Sequence, residues 1–159
     1  MSLLNKKDTI SSVIAALLFL AMLNSAFFFI SALGFGIGQW LAFNACSLAI
    51  IAHVACFALY LRTKDMFWMA IPLLPMYYYG TMGLFLMEWN ANNAFAQITH
   101  VLITINVIWI LYIFIKEGEY SALGRGLLAG MIVFVPIFAV IQTYSQAHMN
   151  EFIQALQKL

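Results

Sequence analysis

Apolar residues in this chain run in long blocks, each closed by a short cluster of charged or amide side chains. The first block, "ISSVIAALLFLAMLNSAFFFISAL" (10–33), follows the charged start "NKKD". After "GFGIG" comes a second (39–61), closed by "RTKD", and then a third (66–87), closed by "EWNANN". The fourth (95–115) ends at "KEGEYSALGR", and the fifth (126–144) is the shortest. Each has about the twenty residues an α-helix needs to cross a hydrocarbon layer roughly 30 Å thick. The pattern predicts an all-α, polytopic integral membrane bundle of five transmembrane helices in one domain over 1–159. Four spans would require an apolar stretch through Glu88, Asn90, Asn92 and Asn93, so five is the expected number. The first block is longer than the apolar region of a secretory signal and lacks a convincing small-x-small cleavage site, so it is expected to remain as the first helix.

The tail, 145–159, is too short and polar to span. Its Met149, Phe152, Ile153, Leu156 and Leu159 recur at helical spacing. They predict a short amphipathic C-terminal helix on the membrane surface or against the bundle, unless the fifth helix simply extends.

Composition removes the soluble alternative. Only 8% of residues are charged and 65% are hydrophobic, whereas a soluble domain carries about a quarter charged residues. A net charge of +1 leaves no footprint for nucleic acid, so the bilayer is the first expected partner. Charge then orients the chain. With the N-terminus inside, Lys6, Lys7, Arg62, Lys64, Lys116 and Arg125 fall on the cytoplasmic side and Lys158 alone falls outside. The expected topology is N-in, C-out, in the cell inner (plasma) membrane. Cys46 and Cys56 sit ten residues apart, about 15 Å along one helix, and cannot bridge within it.

Small residues mark expected close approaches. Gly80 and Gly83 lie about one turn apart in the third block, and Gly126 and Gly130 share a face of the fifth. Such faces serve either packing within the chain or a subunit interface. Pro72, Pro75 and Pro136 each remove an amide donor and crowd the preceding turn, so kinks are expected there.

The chemistry has few groups to draw on. No Lys, Arg, Asp or Glu lies inside any block, which removes the intramembrane carboxylate of many proton-driven pumps and the charged stripe of voltage sensors. What remains is uncharged. Asn24, Asn44 and His100, with Gln97 above them, are expected to form an outer polar layer, and His53 and Asn106 an inner one. Tyr77, Tyr78 and Tyr79 fall between the layers; at 100° per residue they fan over about 200° and cannot all line one pocket. No HExxH, CxxC or phosphate-loop lysine is present.

Three functions fit this inventory. The first is a permeation or transport protein for a small neutral or weakly charged solute, acting as an oligomer because five spans make a thin pore wall. The second is an accessory or regulatory subunit of a larger membrane complex, so the expected protein partner is a second copy or another membrane subunit. The third is a small redox or lipid-modifying enzyme using His53 or His100. No cofactor is expected on the first two; a haem or a quinone belongs to the third, and the offset in depth of the two histidines weighs against an axial pair.

Overall fold

The computed structural model describes residues 6–157. Helix α1, Lys6–Phe27, widens into a π-helical turn over Phe28–Ala32. α2, Ile37–Phe43, and α3, Ala45–Thr63, return toward the starting end. A chain of short pieces follows: α4 (Phe67–Ala70), α5 (Leu73–Pro75), a π-helical segment (Met76–Thr81) and α6 (Gly83–Leu86). α7, Ala94–Glu117, and α8, Tyr120–Ala147, are long, and α9, Met149–Leu156, follows a bend at His148. The protein is an all-α bundle, and among the described residues four helices are long and apolar enough to cross a membrane: 6–32, 45–63, 94–117 and 120–147. Lys158 and Leu159, used above for orientation and for the tail's apolar stripe, lie outside the described residues.

The helices depart from the expected blocks in three places. The second block divides at Asn44, whose backbone (φ −133°, ψ 61°) leaves the helical region. Its amide bonds the Ser25 hydroxyl, and its Oδ1 accepts from the Cys46 thiol. Short polar side chains favour such local bonding over helix continuation. The third block, 66–87, is no single helix. Pro72 and Pro75 cannot donate to the carbonyls of Trp68 and Ile71, and their rings crowd the turn before them, so the chain turns at Ile71–Pro72 and then widens to π-helix. By contrast, α8 passes through Pro136 unbroken. It also begins six residues earlier than the apolar block, absorbing most of the expected polar loop; Gly118, at φ 72°, makes the turn.

Polar side chains set the pairing of the long elements. Lys7 meets Glu117 and Ser11 meets Trp109, so α1 and α7 run antiparallel. Asp8 meets Tyr60 and Ser25 meets Asn44, so α1 and α3 do likewise. The segmented stretch lies antiparallel to α7, pairing Gly83 with His100, Gly80 with Ile103 and Met76 with Asn106. Against α8 it runs parallel, with Ala70 at Gly126 and Ile71 at Gly130. Leu18, Ile50, Met69, Met76, Ile103, Ile110 and Phe114 fill the middle with almost no exposure. The rim is as apolar as the middle: Leu20, Ile108, Ile132 and Val140 are each at least 60% exposed. An apolar surface of that kind suits hydrocarbon, not water.

Candidate functional site

Four glycines let the broken segment reach the centre. A Cβ on Gly83 would enter the His100 ring, and one on Gly80 would enter the Ile103 side chain. On α8, a Cβ at Gly126 would collide with Ala70 and stand 2.7 Å from the Phe67 carbonyl oxygen; at Gly130 it would stand 2.5 Å from that of Ile71. The Ile71 carbonyl is the one Pro75 deprives of its donor. Both small-residue pairs therefore sit at approaches within the chain, where backbone meets backbone or ring.

At the centre of this packing lies a short polar chain. Asn106 (α7), His53 (α3) and Met76 (π segment) are all buried. The Asn106 amide Nδ2 lies 3.2 Å from His53 Nε2 and 3.5 Å from the Met76 sulfur. With the amide donating, Nε2 is the acceptor and the ring proton sits on Nδ1, which meets no partner; Asn106 Oδ1 also meets none. Turning the amide over lets Oδ1 accept from Nε2–H, and Nδ1 is then an unpaired acceptor. Two polar edges, one on the ring and one on the amide, stay unsatisfied either way, each at a cost of about 1–3 kcal/mol. Pro72 and Pro75 are fully buried on the same broken segment as Met76.

Gln97 and His100 lie nearer the start of α7. Gln97 donates to the Met87 carbonyl at 2.6 Å, closing the end of the broken segment onto α7, while its Oε1 is buried without a partner. His100 packs against Gly83 with Nδ1 unpartnered. Tyr79 is partly buried, its hydroxyl unpartnered and its ring edge-on to Phe138 at 4.8 Å. Tyr77 and Tyr78 point outward, 52% and 45% exposed. Asn24 is exposed as well, and the neighbouring Ser25 takes the inward position, accepting from Asn44 and from Trp40 Nε1 at 3.2 Å. His53 and His100 do not face one another. His53 is level with Asn106, six residues beyond His100 on α7, or about 9 Å along its axis.

The starting end of the bundle holds a second polar cluster that spacing alone does not reveal. Asp8 is only 5% exposed, accepting from the Tyr60 hydroxyl and from Lys64 Nζ, each at 2.7 Å. Burial pushes its carboxyl upward, but those two bonds and the Lys64 and Lys7 charges outweigh it and hold the group below its ordinary 3.8. Lys7 and Glu117 form an ion pair at 2.6 Å. A charge pattern placing Asp8 one residue after Lys7, just outside the apolar block, was the available hint.

At the other end, Phe152 of α9 stacks on Phe43 at 4.7 Å and on Phe29 at 6.2 Å, holding that short helix against α2 and the π turn. His148 turns its Nδ1 to the Tyr144 carbonyl at 3.0 Å.

Fold and surface together define a helical, membrane-embedded protein whose central buried polar side chains, His53, Gln97, His100 and Asn106, include no acid or lysine. The chain matches no family model, no curated protein and no solved structure.

Proposed function

We propose that this protein carries a small neutral or weakly charged polar solute across the membrane along the broken third pass. The observation that carries the reading is the His53–Asn106–Met76 chain: two buried polar edges without protein partners, against a segment interrupted by two prolines. Unpaired donors and acceptors in a low-dielectric interior offer hydrogen bonds to a passing solute. Irregular backbone at membrane depth is tolerated where it lines such a route. In this reading the broken pass is the third of five membrane crossings, the N-terminus is cytoplasmic and the C-terminus outside. The host is the cell inner membrane, and the unit is an oligomer.

Osmotic swelling of liposomes reconstituted with the protein tests it, using a size series of uncharged solutes. Replacing the pair, as Asn106→Leu with His53→Phe, should lower flux of the conducted solute at least about tenfold while the protein still inserts. Parental flux in that variant, at equal incorporation, would remove the pair from the route.

A second reading, a subunit of a larger membrane assembly, is favoured by Tyr77 and Tyr78. Their phenol rings face outward near mid-membrane, where a hydroxyl against lipid goes unsatisfied. A neighbouring helix would cover both. Extraction in mild detergent followed by native mass spectrometry separates a second copy from a foreign subunit.

A further inference from the structure

At the starting end a groove of about 490 Å³ lies between α1 and α7. Its rim carries Lys6 and Lys7 from α1 with Lys116 and Glu117 from α7, and Trp109 and Tyr112 form its floor. The Lys7–Glu117 pair ties the two walls together with both carboxylate oxygens engaged, at 2.7 and 2.6 Å, and neutralises the one acid present. Among the described residues Lys6 and Lys116 have no carboxylate partner; both are exposed, and Lys116 sits over the Tyr112 ring at 5.7 Å. The floor is fixed, because Trp109 Nε1–H donates to the buried Ser11 hydroxyl at 3.0 Å. Beyond the floor the same two helices present exposed Val13, Leu17 and Leu20 on α1 and Ile105 and Ile108 on α7. Surplus positive charge, an amphipathic aromatic step and an apolar wall thus follow one another along the membrane normal.

We propose that this groove binds one anionic phospholipid, its phosphodiester between Lys6 and Lys116 and its acyl chains along α1 and α7. Charge complementarity selects the ligand. The rim holds three ammonium groups and one carboxylate, and one ammonium is already spent on that carboxylate. Two cations remain for a phosphate, which lysine binds as a point charge, and basic pockets between transmembrane helices suit anionic headgroups. The apolar wall below distinguishes a lipid from a free anion. The site rests on the long helices being embedded in a membrane and is independent of the permeation reading.

Native mass spectrometry of the full chain in mild non-ionic detergent decides it, with equal amounts of dioleoyl-phosphatidylglycerol and dioleoyl-phosphatidylcholine added. The wild type should retain the anionic lipid in preference to the zwitterionic one. The doubly substituted K6Q/K116Q should lose that preference by roughly tenfold or more, and K6R/K116R should keep it. Arg125→Gln, at the same end but outside the groove, should change nothing. No preference in the wild type, or an equal loss in Arg125→Gln, would overturn the site in favour of none or of diffuse attraction. Complete displacement by millimolar inorganic phosphate would overturn the lipid in favour of a free anion. If the double variant is poorly folded, single Lys116→Gln carries the comparison, and undiminished preference there overturns the proposal equally.

Discussion

Asp8 shows how much one side chain can carry at the edge of a membrane bundle. It ties α1 to α3 through Tyr60 and Lys64, and Lys64 sits in the left-handed region at φ 58° to reach it. A non-glycine residue there costs about 1–2 kcal/mol, so the ion pair holds a backbone that glycine would adopt freely. Lys64→Gly should therefore be less destabilising than Lys64→Ala by about 1 kcal/mol, read from thermal unfolding in detergent. Asp8→Asn should cost about 1 kcal/mol or more at neutral pH. Since the folded carboxyl titrates below 3.8, its contribution is full above that value and fades as pH falls through the lower folded one. The gap between wild type and Asp8→Asn should thus close at acid pH; a constant gap would mean that the charge is not what matters.

Elements pair here through shape more than through chemistry. Water-driven burial does not hold helices together inside lipid, so contacts depend on how near two backbones can come. Gly126 and Gly130 let α8 close on the segment that Pro72 and Pro75 interrupt. Gly126→Ala should lower thermal stability by roughly 1–3 kcal/mol through overpacking against Ala70 and the Phe67 carbonyl. Gly124→Ala, where a Cβ would meet nothing within 4 Å, should be neutral or stabilising by up to about 1 kcal/mol through helix propensity. An equal gain in Gly126→Ala would mean that packing there sets no cost. The segmentation itself was half legible. Two prolines three apart announce an interruption, but the π-helical turn over Met76–Thr81 follows from how Met76 and Gly80 settle against α7. Nothing in local sequence announced the break at Asn44, because it depends on Ser25 from another helix.

At the scale of the molecule, the antiparallel pairing of α1 with α3 and with α7 places Lys7, Lys64 and Glu117 at one end, with Phe152 at the other. Under the proposed topology, single cysteines introduced at Asp65 and at Glu88, on either side of the broken segment and in a background lacking Cys46 and Cys56, should label from opposite sides of the membrane. Labelling of both from one side would show that the broken segment does not cross. The candidate site has the same division. That His53 and Asn106 would be buried was readable from their apolar surroundings; that they would meet, and that Asn24 would not join Asn44, required helix rotations.

The sequence by itself determined the solvent and the helical class of the fold, because long apolar blocks with 8% charge admit only helices whose backbone bonds are satisfied internally. Only the tertiary structure decided which side chains face inward. The apolar blocks are nearly uniform around their circumference, so no amphipathic stripe fixes how each helix is turned. Rotation is set by where glycines allow contact and by a few interhelical hydrogen bonds, and those are properties of pairs of helices rather than of any one segment.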